Sequence, residues 1–231
     1  MKNLILLKTA LLLLALTLIS SCDKSKDEPS QPKPSKEFYI QATIDNKSTI
    51  LETDNTGANG MGMGTGYNSS GNGEGEEYMT QFGGIYNITE TNEIEIRLVT
   101  KIMQRTEENS DIWKATMYSL FKPQTYIYGR DSQDGDTIDE ESYKNGIVIS
   151  YIDNDGAEWR SDYGSADQTG SIFKITSVVK NTDPTTYPTM RQVITGEFSC
   201  KLYNKAGKSK NIEDGKFNIK ILNHSDFRID E

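Results

Sequence analysis

Few side chains in this 231-residue chain could do chemistry by themselves: one histidine, two cysteines, and a surplus of carboxylates, 34 in all. A Ser-His-acid triad would have to use His224, and no GxSxG elbow accompanies it. A zinc site built from histidine or cysteine is equally short of ligands. His224, near the end in LNHSDFRIDE, therefore reads as an exposed tail histidine. No catalytic, cofactor-binding or metal-ligating residue is expected, and no cofactor. Paired carboxylates could hydrolyse glycosides, but among so many acids no pair is marked out by an apolar setting. Trp113 and Trp159, with Tyr126, Tyr128 and Tyr163, would stack on sugar rings if exposed; such aromatics more often fill a β core or its rim.

Two local concentrations remain. The run 131–141 (DSQDGDTIDEE) holds Asp131, Asp134, Asp136, Asp139, Glu140 and Glu141, whereas calcium needs six to eight oxygens converging from a tightly turned loop. The D-x-D-x-D-G spacing is absent, so a solvated loop is expected. Asp136-Thr137-Ile138 resembles the Asp-Ser/Thr-hydrophobic acceptor of Bacteroidota O-glycosylation, which would place a glycan on Thr137. The segment 57–75 (GANGMGMGTGYNSSGNGEG) lacks the Lys-Ser/Thr of a phosphate-cradling loop. It reads as a flexible surface loop, with Met61, Met63 and Tyr67 as an adaptable contact surface.

The most specific spacing lies near the start. Lys2 and Lys8 precede an apolar run, TALLLLALTLI, and Ile19-Ser20-Ser21-Cys22 follows. Charge, short apolar core and small-residue exit make a secretory signal over residues 1–21. A spanning helix needs about 20 apolar residues, roughly twice this run. The ending resembles the lipobox of bacterial lipoproteins. The resemblance implies diacylglycerol on the Cys22 thiol, cleavage before it, and an acylated new amine. Each buried CH₂ contributes about 0.8 kcal/mol, so two or three acyl chains hold firmly where one does not. Lipid on Cys22 would leave Cys200 alone, with no internal disulfide.

Loss of residues 1–21, with their two lysines, takes the formal charge from −9 to −11. A body this acidic does not suit nucleic acid, whose phosphates call for basic patches. Residues 22–36 are expected to be a lipid-anchored flexible linker: DKSKDEPSQPKPSK is charged, carries three prolines and offers a core nothing. Lys26-Asp27-Glu28 resembles the signal that sends many Bacteroidota lipoproteins to the outer face of the outer membrane. That implies a location on the outer membrane, facing the cell exterior.

These residues need a scaffold, and from Glu37 onward the pattern has period two. In EIEIRLV, Ile94, Ile96 and Leu98 share a face. Ile194, Phe198, Cys200 and Leu202 do so in VITGEFSCKLY, and Phe217, Ile219 and Ile221 in KFNIKI. Asp45-Asn46, Asp153-Asn154-Asp155-Gly156, Ala206-Gly207 and Asp214-Gly215 read as reversals. One helix is predicted over 111–121, with Ser110 as N-cap and Pro123 as its stop. About nine strands and at most one short helix make an all-β fold, an antiparallel β-sandwich or open β-barrel. Residues 37–231 are expected to form one such domain.

The run GSIFKIT from Gly170, ITGEFS from Ile194, Gly207 and DGKF from Asp214 resemble the "GxFxIT … ITGxFS … G … NGxF" rhythm of uncharacterised Bacteroidota surface lipoproteins. FYIQATIDNK from Phe38 is similar to their first strand. The resemblance implies a fold and no activity. The expected function is a non-enzymatic binding or interaction module held to a membrane through Cys22, its ligand a glycan or a protein. The alternatives are a carboxylate-based glycan hydrolase and a structural subunit of an envelope assembly.

Overall fold

The computed structural model describes residues 32–54, 61–71, 75–87, 92–131, 133–134, 137–138, 143–182 and 190–224. The chain divides into two units, 1–33 and 34–231. The expected signal segment, Cys22 and most of the linker lie outside the described residues, and the second unit holds the fold. It takes in the linker's last residues: Ser35 donates to the Glu52 carboxylate through both its N–H (2.7 Å) and its hydroxyl (2.6 Å).

Alternating strands come first: β1 (Phe38–Ile44), β2 (Lys47–Thr53), β3 (Met61–Gly71), β4 (Glu76–Asn87) and β5 (Glu93–Met103). The helix α1 (Ser110–Ser119) and the short β6 (Gln124–Tyr126), β7 (Gln133–Asp134) and β8 (Thr137–Ile138) follow. Then come β9 (Gly146–Ile152), β10 (Glu158–Arg160), β11 (Ile172–Thr182), β12 (Met190–Tyr203) and β13 (Ser209–His224). Apart from the separate β7–β8 pair, all the strands belong to one sheet, ordered β2-β1-β13-β12-β10-β9-β5-β4-β3, with β11 branching from β12 and β6 paired to β11. The fold is all-β, and of the two architectures expected it is the open barrel: one antiparallel sheet curled on itself.

The apolar faces expected from the alternation are buried. Ile94, Ile96, Ile194, Leu202, Phe217, Ile219 and Ile221 share one core with Phe38, Ile40 and Phe173. Its centre explains the GxF spacing. Gly196 pairs with Phe217 and Phe198 with Gly215, so each ring lies opposite the other strand's glycine. A Cβ on Gly196 would meet Lys174 O at 2.2 Å and the Phe217 ring at 2.5 Å. The space thus freed lets Phe217 stack on Phe173 at 5.2 Å between centroids, worth about 0.5–1.5 kcal/mol beyond burial.

Three local expectations are corrected. Within the glycine-rich segment, residues 61–71 form a strand rather than a loop, β3 pairing with β4 from Met61–Asn87 to Gly71–Glu77, while 57–60 and 72–74 lie outside the described residues. Its M-G-M-G-T-G-Y alternation keeps the strand period although glycine is a poor strand former. Asp214-Gly215 is not a reversal but a bulge inside β13, with Asp214 at φ 52°. The extra residue resets the parity, which is why Ile212 and Phe217, five apart, both face inward. The helix is capped at Asn109 rather than Ser110, and the Asn109 side chain ties down the preceding turn through Thr106 N–H (2.7 Å) and Gln104 O (2.8 Å). The other reversals form as read. Asp45 and Asn46 both adopt positive φ between β1 and β2, and Gly156 donates to Asp153 O at 2.8 Å between β9 and β10.

The helix lays Trp113 and Met117 on Met79 and Ile102 in a second, smaller core. Its last carbonyls are satisfied from the sheet side. Gln192 Nε2 donates to Tyr118 O (3.1 Å), and the Tyr126 hydroxyl donates to Leu120 O (2.9 Å). Among the described residues no helix is long and apolar enough to cross a membrane.

Candidate functional site

The sheet forks at β12. Its early residues pair with β11, while Tyr203 pairs with Arg160 of β10. At the fork Lys201 pairs with Asn211 of β13 on one side, and on the other a side chain takes the place of a strand. Gln168 Oε1 accepts from Lys201 N–H (3.0 Å), and its Nε2 donates to Lys201 O (2.6 Å). The segment from Gln124 to Arg130 spans the open side of the fork. Residues 124–126 pair with Phe173–Ile175 of β11. Farther on, Gly129 donates to Ile147 O and Ile147 to Ile127 O, each at 2.9 Å. Glycine is required at this crossing: a Cβ on Gly146 would lie 2.5 Å from Ile127 O, and one on Gly129 2.5 Å from Lys144 O. Tyr128 plugs the ring so formed, its hydroxyl donating to Ser199 O (3.0 Å) with Ile172 O at 3.3 Å. Burial raises this phenol well above its usual pKa and pushes the neighbouring Cys200 thiol up to about 12. Cys200 is an inert core residue at neutral pH.

Outside this plug lies a groove of about 850 Å³, with Tyr126, Ile127, Arg130, Tyr143, Lys144 and Asp167 in its wall. Arg130 and Lys144 face each other across an antiparallel bridge, exchanging backbone bonds of 2.8 and 3.0 Å. Two cations are therefore held side by side, an arrangement that costs free energy in the absence of an anion. Neither makes an ion pair with another described residue, whereas Asp167 in the same wall is balanced by Lys201 at 3.6 Å. Ile127, also in the wall, is 65% exposed.

The residues next to those cations lock the wall from behind. The Asp131 N–H donates to Asp162 Oδ2 (2.9 Å). Its carboxylate lies 3.6 Å from Arg97 Nη1 and 3.8 Å from Arg160 Nη2. Arg160 clamps Asp162 through two bonds of 2.8 Å. Burial works against the Arg160 charge, but the Asp162 hydrogen bonds outweigh it and hold its pKa above the usual value. Arg97 also binds Glu95. Beside Asp131, burial raises the Tyr143 phenol far above its normal range.

A second cleft, of about 610 Å³, runs between Asp45 and Asp153. There Asp153 Oδ2 accepts from Trp159 Nε1 (2.8 Å) and lies 3.4 Å from Lys210 Nζ, and Oδ1 accepts from Ala157 N–H (3.0 Å). Burial pushes the Asp153 carboxyl up, but these contacts outweigh it and hold it below the ordinary range. A glycosidase's acid needs the opposite shift. Glu93 is raised, chiefly by burial and then by Glu95, but it lines neither cleft.

The aromatic residues that could stack on sugars if exposed are divided. Trp113 and Trp159 are 2% and 8% exposed and Tyr128 plugs the ring, so all three belong to cores. Tyr163, half-buried, donates to Glu158 Oε2 at 2.9 Å, and only Tyr126 of the set reaches the groove wall with Tyr128 behind it. The acidic run is likewise broken up. Asp131 is buried among arginines rather than solvated, and Asp134 and Thr137 face each other in the β7–β8 pair. Asp136, Asp139, Glu140 and Glu141 lie outside the described residues. Among the described residues no group of three or more metal-ligating side chains converges. His224 closes β13 opposite Met190 instead of lying in a tail. Arg130, Lys144, Gln168 and Gly146 escaped the sequence reading, since none stands in a recognisable motif. Compared with known proteins, the chain matches no family model, no curated protein and no solved structure.

Proposed function

We propose that this protein is a lipid-anchored lipoprotein of the outer membrane, facing the cell exterior, whose folded unit is a non-catalytic binding module working through the groove beside β6. The observation that carries the binding reading is the adjacent pair Arg130 and Lys144, two cations without a described counter-ion in the wall of an open groove. A site on rigid, doubly paired backbone suits recognition, because little is lost in ordering it. The anchor rests on the sequence around Cys22, and the outward address on Lys26-Asp27-Glu28.

The test is fractionation of the full chain in a bacterium that processes lipoproteins. The wild type should sediment with membranes and be cut by protease added to intact cells. Cys22→Ser should move the protein to the soluble fraction with its β-sheet spectrum unchanged. Sedimentation of that variant with membranes would refute the anchor, and full protection of the wild type would refute the outward position.

A further inference from the structure

We infer that the groove beside β6 binds an acidic oligosaccharide, one bearing uronate or sulfate groups; this rests on the reading of the folded unit as a binding module.

The ligand's charge follows from the wall. Arg130 and Lys144 are fixed opposite each other by reciprocal backbone bonds, and Asp131, immediately behind Arg130, is fixed by Asp162, Arg97 and Arg160. The bridge fixes the two side chains' points of attachment as neighbours on one face. An anion between them removes their mutual repulsion and gains charge-assisted hydrogen bonds, with Arg offering a planar fork that matches a carboxylate or sulfate. Asp167, the acid in the wall, already faces Lys201 and accepts from Thr169 N–H at 3.0 Å.

The ligand's size and class follow from shape and backbone. About 850 Å³ is far more than a lone phosphate fills and falls within the range of sites for ligands of several rings. Tyr126 and Tyr143 contribute ring surface, and Ile127 an exposed apolar rim, suited to the C–H faces of sugars. A peptide would more naturally add a strand to an open edge. Beside the two cations the backbone is already paired, Ile127 and Gly129 to Ile147 and Arg130 to Lys144, so no strand adds there. Recognition must therefore come from side chains. Two cations are too few for nucleic acid, whose binding grows with the number of phosphates neutralised.

The experiment is calorimetric titration of the full chain in detergent with oligogalacturonate, sulfated dextran and neutral dextran of matched length, and with polyglutamate. Oligogalacturonate or sulfated dextran should bind and neutral dextran should not. Arg130→Gln combined with Lys144→Gln should weaken binding at least tenfold. Lys208→Gln, in the exposed β12–β13 turn, should leave it unchanged. Equal binding of neutral dextran, with loss on Ile127→Asp but not in the double variant, would overturn the acidic ligand and leave the binding module standing. Polyglutamate binding as tightly as the acidic sugars would assign the groove to acidic peptides and overturn the saccharide. Binding of none of the four would overturn both readings.

Discussion

Asp162 carries more of the groove than its position in a short loop suggests. It holds Arg160 by two bonds and the Asp131 backbone by a third, and through Asp131 it fixes the height of Arg130 in the wall. Asp162→Ala leaves a buried guanidinium without its nearest partner, which should cost about 3–5 kcal/mol. Urea unfolding measures this, and the double change Arg160→Met with Asp162→Leu should recover most of it. A loss under about 1 kcal/mol for the alanine variant would mean that water replaces the carboxylate. This scale was the least legible in the sequence. Asp131 stands first in an acidic run and reads as solvated, because nothing local reveals that β5 and β10 bring Arg97 and Arg160 to it. Trp159 sits in the core, as such aromatics more often do, its indole N–H satisfied by Asp153.

Elements were read more successfully where apolar alternation was clean, as in β5, β12 and β13. They were misread where a special backbone conformation imitated a turn. Asp-Gly at 214–215 has turn chemistry, yet β12 and β1 flank it on both sides, and the positive φ is absorbed as a bulge. The GxF repeats were recognised as a rhythm, but their cause is register, each glycine making room for a ring on the neighbouring strand. Gly196→Ala tests this. The new methyl would collide with Lys174 O and the Phe217 ring, so overpacking should cost about 2–3 kcal/mol or more. Thermal unfolding reads the loss, and Phe217→Leu in the same chain should relieve part of it. A Gly196→Ala protein as stable as the wild type would show that the strands can slide apart without cost.

For the whole molecule, the buried phenols and thiol make stability asymmetric in pH. Burial holds Cys200 and Tyr163 up at about 12 and raises Tyr126, Tyr128, Tyr143 and Tyr151. In the unfolded chain these groups titrate near about 8.5 for Cys and 10 for Tyr. The unfolded state thus loses protons first, and stability should fall from about pH 8.5 through 12. On the acid side the Ser35 hydrogen bond lowers Glu52, and the Thr169 hydrogen bonds lower Asp167. Asp153 is also lowered, despite burial. Their contribution is present above about pH 4 and lost below it, but shallowly, since Glu52 and Asp167 are largely in water. Urea midpoints from pH 3 to 11 should show the steep limb on the alkaline side, and a flat alkaline limb would contradict the burial of the phenols. The pairing of β1 with β13 has another consequence. Tyr39 lies beside Asn218, and Asn218 Nδ2 donates to Glu37 O at 2.7 Å, so the first strand meets its inner neighbour only when nearly all of the chain is present. Contacts this distant in sequence slow closure of the sheet. During synthesis β1 therefore has only β2 to pair with until β13 arrives.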